Sequence, residues 1–174
     1  MRERSVSEHV LLTTSRFRVE RVDFESGGGM QSREIIRHPG AAAILPLLPN
    51  DQVCLIRNHR PSADQVLFEI PAGTLEPPEA PEVTAARELT EETGYIAGRL
   101  EKMHQFFVSP GILDEQMYLY LATDLSQGDV AREPGERIEN FIVDRAEAMA
   151  MIDRGEIRDA KTIVALLLYD RQTK

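Results

Sequence analysis

The sequence is poor in cysteine and has no excess of basic residues. Its single cysteine, Cys54, excludes an internal disulfide and any metal site built from several cysteines. Its 20 lysines and arginines are outnumbered by 29 aspartates and glutamates, which gives a net charge of -9. Because duplex binding is driven by lysine and arginine that displace counterions from phosphate, this charge argues against a nucleic-acid surface. An acidic protein that handles phosphate groups therefore needs a metal ion or a local basic cluster.

Long apolar runs and several common catalytic motifs are also missing. No run approaches the roughly 18 apolar residues that a membrane span needs. The start, MRERSVSEHV, lacks the apolar core of a signal peptide. There is no G-x-x-x-x-G-K-[ST] loop, no G-x-S-x-G elbow and no dinucleotide fingerprint. We therefore expect a protein of the reducing cytoplasm, with no membrane or nucleic-acid partner.

The order of the remaining patterns predicts an α/β fold. Residues 16–25 alternate charged and apolar side chains, SGGG is a turn, and MQSREIIRH returns as a second strand. We expect this N-terminal β-hairpin, residues 1–38, to stand apart from a main domain of residues 39–174. The main domain has strand patterns at 41–48, 52–58, 65–71, 99–108, 115–123 and 137–143. These patterns predict a mixed α/β sandwich.

Three helices are expected in the main domain. Pro81 suits the first position of a helix and Gly94 suits its end, which predicts a helix from Pro81 to Thr93. Asp144, followed by Glu147, resembles a capping box that opens a second helix. The third helix is expected to begin at Asp159.

The stretch RELTEETG, residues 87–94, places three glutamates at the end of the first predicted helix. Glu88, Glu91 and Glu92 fall on one helix face, where they repel each other, and the helix dipole disfavours anions there. The combined cost is on the order of 1 kcal/mol. A solvated acidic face is one interpretation. A bound divalent cation is the other, since carboxylates with a nearby loop carbonyl suit Mg²⁺ and turn repulsion into coordination.

The residues before this stretch favour the metal. Gly73, five residues, Glu79, seven residues and then RELTEETGY resemble the Nudix box, the signature of the Nudix hydrolase family. Tyr95 is the one departure, since an aliphatic residue is more usual there. The resemblance implies a Nudix α/β/α sandwich with a mixed sheet. It also implies hydrolysis of a nucleoside diphosphate linked to another group, with Mg²⁺ or Mn²⁺ as cofactor and two or three ions per site.

The resemblance also assigns roles to the residues of the box. Glu88 and Glu92 correspond to the principal metal ligands, together with the carbonyl of Ala72. Glu91 corresponds to an outer ligand. Arg87 is similar to the residue that orients the glutamates, and its alternative is a surface ion pair with Glu91.

Segments outside the box resemble the ADP-ribose pyrophosphatase branch of the family. They are SREIIRHPGAAAILPL, EIPAG and FFVSPGILDEQMYLYLA, and Pro110 lies sixteen residues after Gly94, as in that branch. The resemblance implies hydrolysis of ADP-ribose to AMP and ribose 5-phosphate. Hydrolysis of another nucleoside diphosphate sugar, such as GDP-mannose, is the nearest alternative. A non-catalytic Nudix-like ligand sensor is a further one, although a sensor should have a broken box.

The branch resemblance supplies the remaining site residues. Arg33 and Glu34 resemble residues that contact the adenine from the neighbouring subunit, which implies a homodimer with exchanged N-terminal hairpins. Exposed pairing between strands is their alternative. Arg60 can supply positive charge to the diphosphate or form a structural salt bridge. Pro110 and Glu115 belong to the substrate loop.

The general base is expected to be a loop glutamate that follows the sheet. Glu136 matches the position of the base in the branch best. Glu133, Glu139 and Glu115 are its rivals, and a flexible acidic loop without a catalytic role is the alternative.

Overall fold

The structure is a computed structural model, which describes residues 5–128 and 138–173. The described residues form ten strands and three helices, with a 3₁₀ turn at Pro49–Asp51. The strands are β1 (Ser5–Thr13), β2 (Arg18–Ser26), β3 (Gly29–Arg37), β4 (Ala41–Leu48), β5 (Gln52–Arg60), β6 (Gln65–Glu69), β7 (Ala72–Thr74), β8 (Tyr95–Phe107), β9 (Gln116–Gln127) and β10 (Ile138–Asp144). The helices are α1 (Pro81–Thr93), α2 (Arg145–Asp153) and α3 (Ala160–Gln172).

The chain divides into two compact units. The first consists of Met1–Gly40 and Phe106–Met117, and the second of Ala41–Gln105 and Tyr118–Lys174. The first unit contains the antiparallel sheet β1-β2-β3. Its strands β2 and β3 are the hairpin that the sequence predicts, whereas β1 was not predicted.

The first unit also holds the loop between β8 and β9 against the end of β3. The backbone N–H of Ile36 donates to the carbonyl of Ile112 at 2.8 Å, and the N–H of Asp114 donates to the carbonyl of Ile36 at 3.1 Å. The Asp114 carboxylate accepts from Arg37 at 3.2 Å and from the backbone N–H of His38 at 2.8 Å. The loop is therefore fixed by both backbone and side-chain bonds.

The second unit is built on one sheet with strand order β10-β5-β4-β9-β8, where β6 pairs with β5 and β7 with β4. All of residues 41–46 in β4 are buried. Because successive strand residues point to opposite faces, both faces of the sheet are covered. Helix α1 covers one face, with Ala85 and Leu89 packed against Ala42 and Ile44. Helix α3 contacts β4 and β6, so the sheet lies between helical layers.

Helix α1 has the predicted bounds because its ends are encoded locally. Pro81 occupies its first turn, and Gly94 ends it in the left-handed conformation with a φ of 76°. The Gly94 N–H donates to the Thr90 carbonyl at 2.8 Å, which satisfies one of the last carbonyls of the helix.

The two C-terminal helices begin differently. Asp159 caps α3, since its carboxylate accepts from the Thr162 N–H at 3.0 Å. The capping box expected at α2 is not formed. Asp144 instead accepts from the Gln52 side chain at 3.0 Å, and Glu147 pairs with Arg154 at 2.6 Å. Across the described residues, no helix combines the length and the apolarity that a membrane crossing requires.

Candidate active site

The loop in front of α1 makes room for the carboxylate of Glu88. A Cβ atom added at Gly73 would lie only 1.9 Å from Glu88 Oε1 and 2.5 Å from Oε2. Gly73 faces Ala42 in the β4–β7 pair, so its backbone is fixed by the sheet. Only glycine at this position lets the Glu88 side chain lie against the strand backbone.

The second expected ligand lies one helical turn further on. Glu92 is 4% exposed, and its Oε2 accepts a hydrogen bond from the backbone N–H of Ala72 at 2.9 Å. Glu88 thus faces Gly73 while Glu92 faces Ala72. The structure therefore brings together the three residues that were expected to bind the metal.

Arg87 is shared among three carboxylates. Its Nη1 donates to Glu88 Oε1 at 2.6 Å and to Glu91 Oε2 at 3.1 Å, and its Nη2 donates to Glu79 Oε1 at 3.1 Å. Burial lowers the pKa of the guanidinium, but the hydrogen bonds to Glu79, Glu88 and Glu91 and the charge of Glu88 outweigh burial and raise the pKa. Arg87 therefore contacts Glu88, the residue it was expected to orient, and it also forms the ion pair with Glu91 that was the alternative interpretation. It also reduces the repulsion among the crowded acids of the helix.

Glu79 fixes the proline-rich loop that precedes the helix. Its Oε1 accepts from the Thr84 hydroxyl at 2.6 Å, from the Glu76 N–H at 3.2 Å and from Arg87. The Thr84 hydrogen bond, followed by that of Arg87, lowers the pKa of Glu79 below its ordinary value. Glu79 is accordingly an anchor for the loop and for Arg87.

The residues that line this site fit a hard divalent cation. Among the described residues, no three His, Cys, Asp or Glu side chains converge as a ready-made metal cage. The expected set needs only two carboxylates and one backbone carbonyl, and the Glu88 carboxylate lies against Gly73 while the Glu92 carboxylate accepts from the neighbouring Ala72 N–H. Oxygen donors of this kind suit Mg²⁺ or Mn²⁺.

Arg60 forms an ion pair with a carboxylate that sequence reasoning did not single out. Its Nε and Nη2 donate to the two oxygens of Glu69 at 2.7 and 2.6 Å, and Glu69 is 1% exposed. The Glu69 hydrogen bond raises the pKa of Arg60 against the effect of burial, and the charge of Glu92 acts in the same direction. The pKa of Arg60 is therefore raised by the charge of Glu92, an expected metal ligand, as well as by the hydrogen bond to Glu69.

Lys161 is a second cation on the same carboxylate. Its Nζ lies 2.5 Å from Glu69 Oε2 and 3.0 Å from Asp159 Oδ1. Burial raises the pKa of Glu69, but Arg60 and Lys161 outweigh that effect and the net pKa is lowered. The one sequence signal for this network is a glutamate between the apolar residues Phe68 and Ile70 of a predicted strand.

The segment from Ile70 to Ala72 is fastened from both sides. The buried Thr162 hydroxyl accepts from the Ile70 N–H at 2.8 Å and donates to Asp159 Oδ2 at 2.6 Å. The Pro71 carbonyl accepts from the Ile44 N–H at 2.9 Å. Helix α3 and β4 therefore hold the backbone that leads into the Ala72 carbonyl.

Four of the predicted substrate-binding residues belong to the first unit. The Arg33 guanidinium lies 5.2 Å from the centre of the Phe24 ring, and Glu34 pairs with Arg21 at 3.4 Å. Pro110 is exposed in the loop after β8. The carbonyl of Glu115 accepts from the Val108 N–H at 3.1 Å, and Glu115 Oε1 lies 3.8 Å from His38 Nδ1.

The expected general base, Glu136, and its rival Glu133 lie outside the described residues. Glu139, on β10, pairs with Arg57 at 3.2 Å and is 73% exposed. Its neighbour Asn140 donates to the Thr93 carbonyl at 2.8 Å, which joins β10 to the end of α1. The role of Glu136 stays a prediction.

The second unit is an α/β/α sandwich in which acidic residues of α1 lie against the segment that contains Gly73. This arrangement is the one expected of a Nudix-type fold. Residues 37–166 match the family model described as the NUDIX domain. The chain therefore belongs to the NUDIX domain family, and the predicted fold is confirmed. Nudix hydrolases generally use divalent metal ions.

Known relatives and one solved structure are similar to most of the chain. The ADP-ribose pyrophosphatase of Bacillus subtilis (strain 168) is 39% identical over 85% of this chain and 80% of its own length. The GDP-mannose pyrophosphatase of Cronobacter sakazakii (strain ATCC BAA-894) is 34% identical over 76% of this chain and 78% of its own length. A crystal structure of an ADP compounds hydrolase superposes with a TM-score of 0.87 and 22% identity, covering 99% of this chain and 94% of that one.

Proposed function

We propose that this chain is a divalent-metal-dependent pyrophosphohydrolase that cleaves ADP-ribose to AMP and ribose 5-phosphate. The observation that carries the proposal is the arrangement of Glu88 and Glu92 against Gly73 and Ala72. The 39% identity to an ADP-ribose pyrophosphatase over 85% of the chain supports the choice of substrate.

Glu88, Glu92 and the Ala72 carbonyl would hold Mg²⁺ or Mn²⁺, with two or three ions per site. A divalent ion bound there supplies Lewis-acid polarisation of the pyrophosphate oxygens and lowers the pKa of water. Arg87 orients Glu88 and holds Glu91 in place, since it donates to both carboxylates. Glu91 is an outer ligand in this scheme.

The remaining residues bind the substrate and move the proton. Arg60 supplies local positive charge that binds the pyrophosphate. Such a local charge is needed because the net charge of the protein is negative. Glu136 takes the proton from the attacking water as general base. Hydrolysis then breaks one phosphorus–oxygen bond of the pyrophosphate, and each product keeps one phosphate.

Recognition of the adenine is assigned to the first unit. Arg33 and Glu34 contact the base from the neighbouring subunit of a homodimer with exchanged N-terminal hairpins, and Pro110 and Glu115 line the substrate loop. The exposed side chains of Val6, Val10 and Leu12 on β1 support an interface between copies. A cytoplasmic location belongs to the same proposal, because the single buried cysteine suits a reducing compartment.

A substrate panel tests the reaction. Turnover with Mg²⁺ is measured for ADP-ribose, GDP-mannose, ADP-glucose, NADH, diadenosine polyphosphates and 8-oxo-dGTP. We expect ADP-ribose to be among the best substrates by kcat/KM. If ADP-ribose ranks low and another compound leads, the choice of substrate is wrong.

A charge-neutral substitution tests the role of the box. Glu92→Gln should lower kcat by orders of magnitude while the fold survives, because the amide keeps the size of the side chain and loses its charge. Glu82→Gln is the matched control, since Glu82 lies exposed in the first turn of the same helix. Equal losses in both variants would exclude a specific role for Glu92.

A pyrophosphatase for another nucleoside diphosphate sugar is the second candidate. The 34% identity to a GDP-mannose pyrophosphatase favours it, and it shares the same fold and box. A non-catalytic sensor ranks third, because every carboxylate of the box is present. Binding of ADP-ribose without hydrolysis by the wild type would favour the sensor.

A further inference from the structure

The carboxylate of Glu69 is shared unequally between two cations. Its Oε2 accepts from Arg60 Nη2 at 2.6 Å and from Lys161 Nζ at 2.5 Å, and its Oε1 accepts from Arg60 Nε at 2.7 Å. The Glu69 side chain is 1% exposed, that of Lys161 is 11% exposed and that of Arg60 is 37% exposed. Arg60 is thus the partner that reaches solvent, and Lys161 is the partner that stays inside.

A buried carboxylate is stable only while it remains paired. Removing its only cation would leave an uncompensated charge, which is strongly unfavourable in a protein interior. If Arg60 were the only partner of Glu69, moving its guanidinium to another anion would carry that penalty. The Lys161 ammonium removes the penalty because it keeps Glu69 paired after Arg60 leaves.

The contacts of Lys161 with α3 would keep it paired with Glu69 when Arg60 moves away. Its Nζ also contacts Asp159, the residue that caps α3. Asp159 is in turn bonded to the buried Thr162, whose hydroxyl holds Ile70. The first turn of α3 therefore fixes Lys161 next to β6, and of the two cations on Glu69, Arg60 has the more exposed side chain.

We propose that Lys161 is a positioning residue that holds Glu69 so that the Arg60 guanidinium can turn towards the pyrophosphate of the substrate. The proposal rests on the proposed function, in which Arg60 binds the anionic substrate. It assigns a function to a residue of α3 that lies 92 positions after Glu69.

Removing the Lys161 charge tests the idea. In Lys161→Met, Glu69 depends on Arg60 alone and holds it more tightly. We expect KM to rise about tenfold, since one hydrogen bond to a charged group is at stake, while kcat changes by less than about twofold. Lys161→Arg should restore KM, and Lys102→Met is a control because Lys102 is exposed and bonded to Gln105. A lowered kcat with an unchanged KM would overturn the proposal.

A second substitution separates positioning from structural damage. In the double variant Glu69→Gln with Lys161→Met, the neutral amide releases Arg60, so KM should return towards the wild-type value. If Lys161 only stabilises the fold, adding Glu69→Gln to Lys161→Met should raise KM further. A KM that stays high or rises further in the double variant would therefore exclude the proposed role.

Binding measurements separate this inference from the proposed function. The dissociation constant of a non-hydrolysable ADP-ribose analogue is measured by calorimetry with Mg²⁺ for the wild type and the same variants. Weaker binding in Lys161→Met that Glu69→Gln restores supports the role of Lys161 even if the wild type hydrolyses nothing. Equal dissociation constants in all variants overturn it while leaving the proposed function intact, and a wild type that does not bind the analogue overturns both.

Discussion

Replacing Gly73 with alanine should lower kcat by about 100-fold without unfolding the protein. The new Cβ would lie 1.9, 2.0 and 2.5 Å from Oε1, Cδ and Oε2 of Glu88, far inside van der Waals contact. These atoms form the far end of a flexible side chain, so Glu88 can swing away by more than 1 Å. A misplacement of about 1 Å costs on the order of 100-fold in rate. The unfolding free energy should fall by only about 1 kcal/mol, which is the bond between Arg87 and Glu88.

The assay compares kcat across a titration of Mg²⁺ with the midpoint of urea unfolding. Gly29→Ala is the matched control, since a Cβ at Gly29 meets nothing within 4 Å. The control should keep both its activity and its stability. Wild-type kcat in Gly73→Ala at every Mg²⁺ concentration would refute the reasoning, because Glu88 would then not need its place against the strand. A collapse in stability that parallels the loss of activity would also refute it.

Two further predictions concern buried polar groups behind the site. Thr162→Val should cost about 1–3 kcal/mol in urea unfolding, since it leaves the Ile70 N–H unpaired, and Thr162→Ser should recover most of that loss. For Glu69, whose pKa lies below its ordinary value of 4.5 in the folded protein, the stabilisation is complete above pH 4.5 and is lost as pH falls through the folded pKa. As pH falls below 4.5, the unfolding free energy should therefore fall less steeply in Glu69→Gln than in the wild type, and equal slopes would contradict the assignment.

Local signals predicted the helix of the box correctly. Proline in its first turn and glycine at its end are sufficient to set the bounds of α1, because both act through their own backbone conformation. The same reasoning predicted the cap at Asp159 and failed at Asp144. There the side chain of Gln52, 92 residues earlier, takes the carboxylate that would have capped the helix. Whether a capping residue caps its helix therefore depends on whether a tertiary partner competes for its side chain.

The electrostatic repulsion within the acidic cluster is smaller in the structure than the sequence alone suggests. Considered alone, Glu88, Glu91 and Glu92 repel each other at an unfavourable helix end. In the folded chain, Arg87 donates to Glu88, Glu91 and Glu79, while Glu92 accepts from the Ala72 backbone N–H. Even without a metal, the cluster is therefore partly compensated.

The amino-acid sequence by itself determined the family, the mixed α/β fold and the residues of the box. These follow from the fixed spacing of glycine and acidic residues and from the periods of strands and helices, which are local properties of the chain. Only the tertiary structure decided that Glu69 pairs with both Arg60 and Lys161 and that Thr162 holds Ile70. Those partners are brought together by the sheet and by α3. No periodicity encodes a pairing between side chains 92 positions apart, because burial and packing select it only after the elements have assembled.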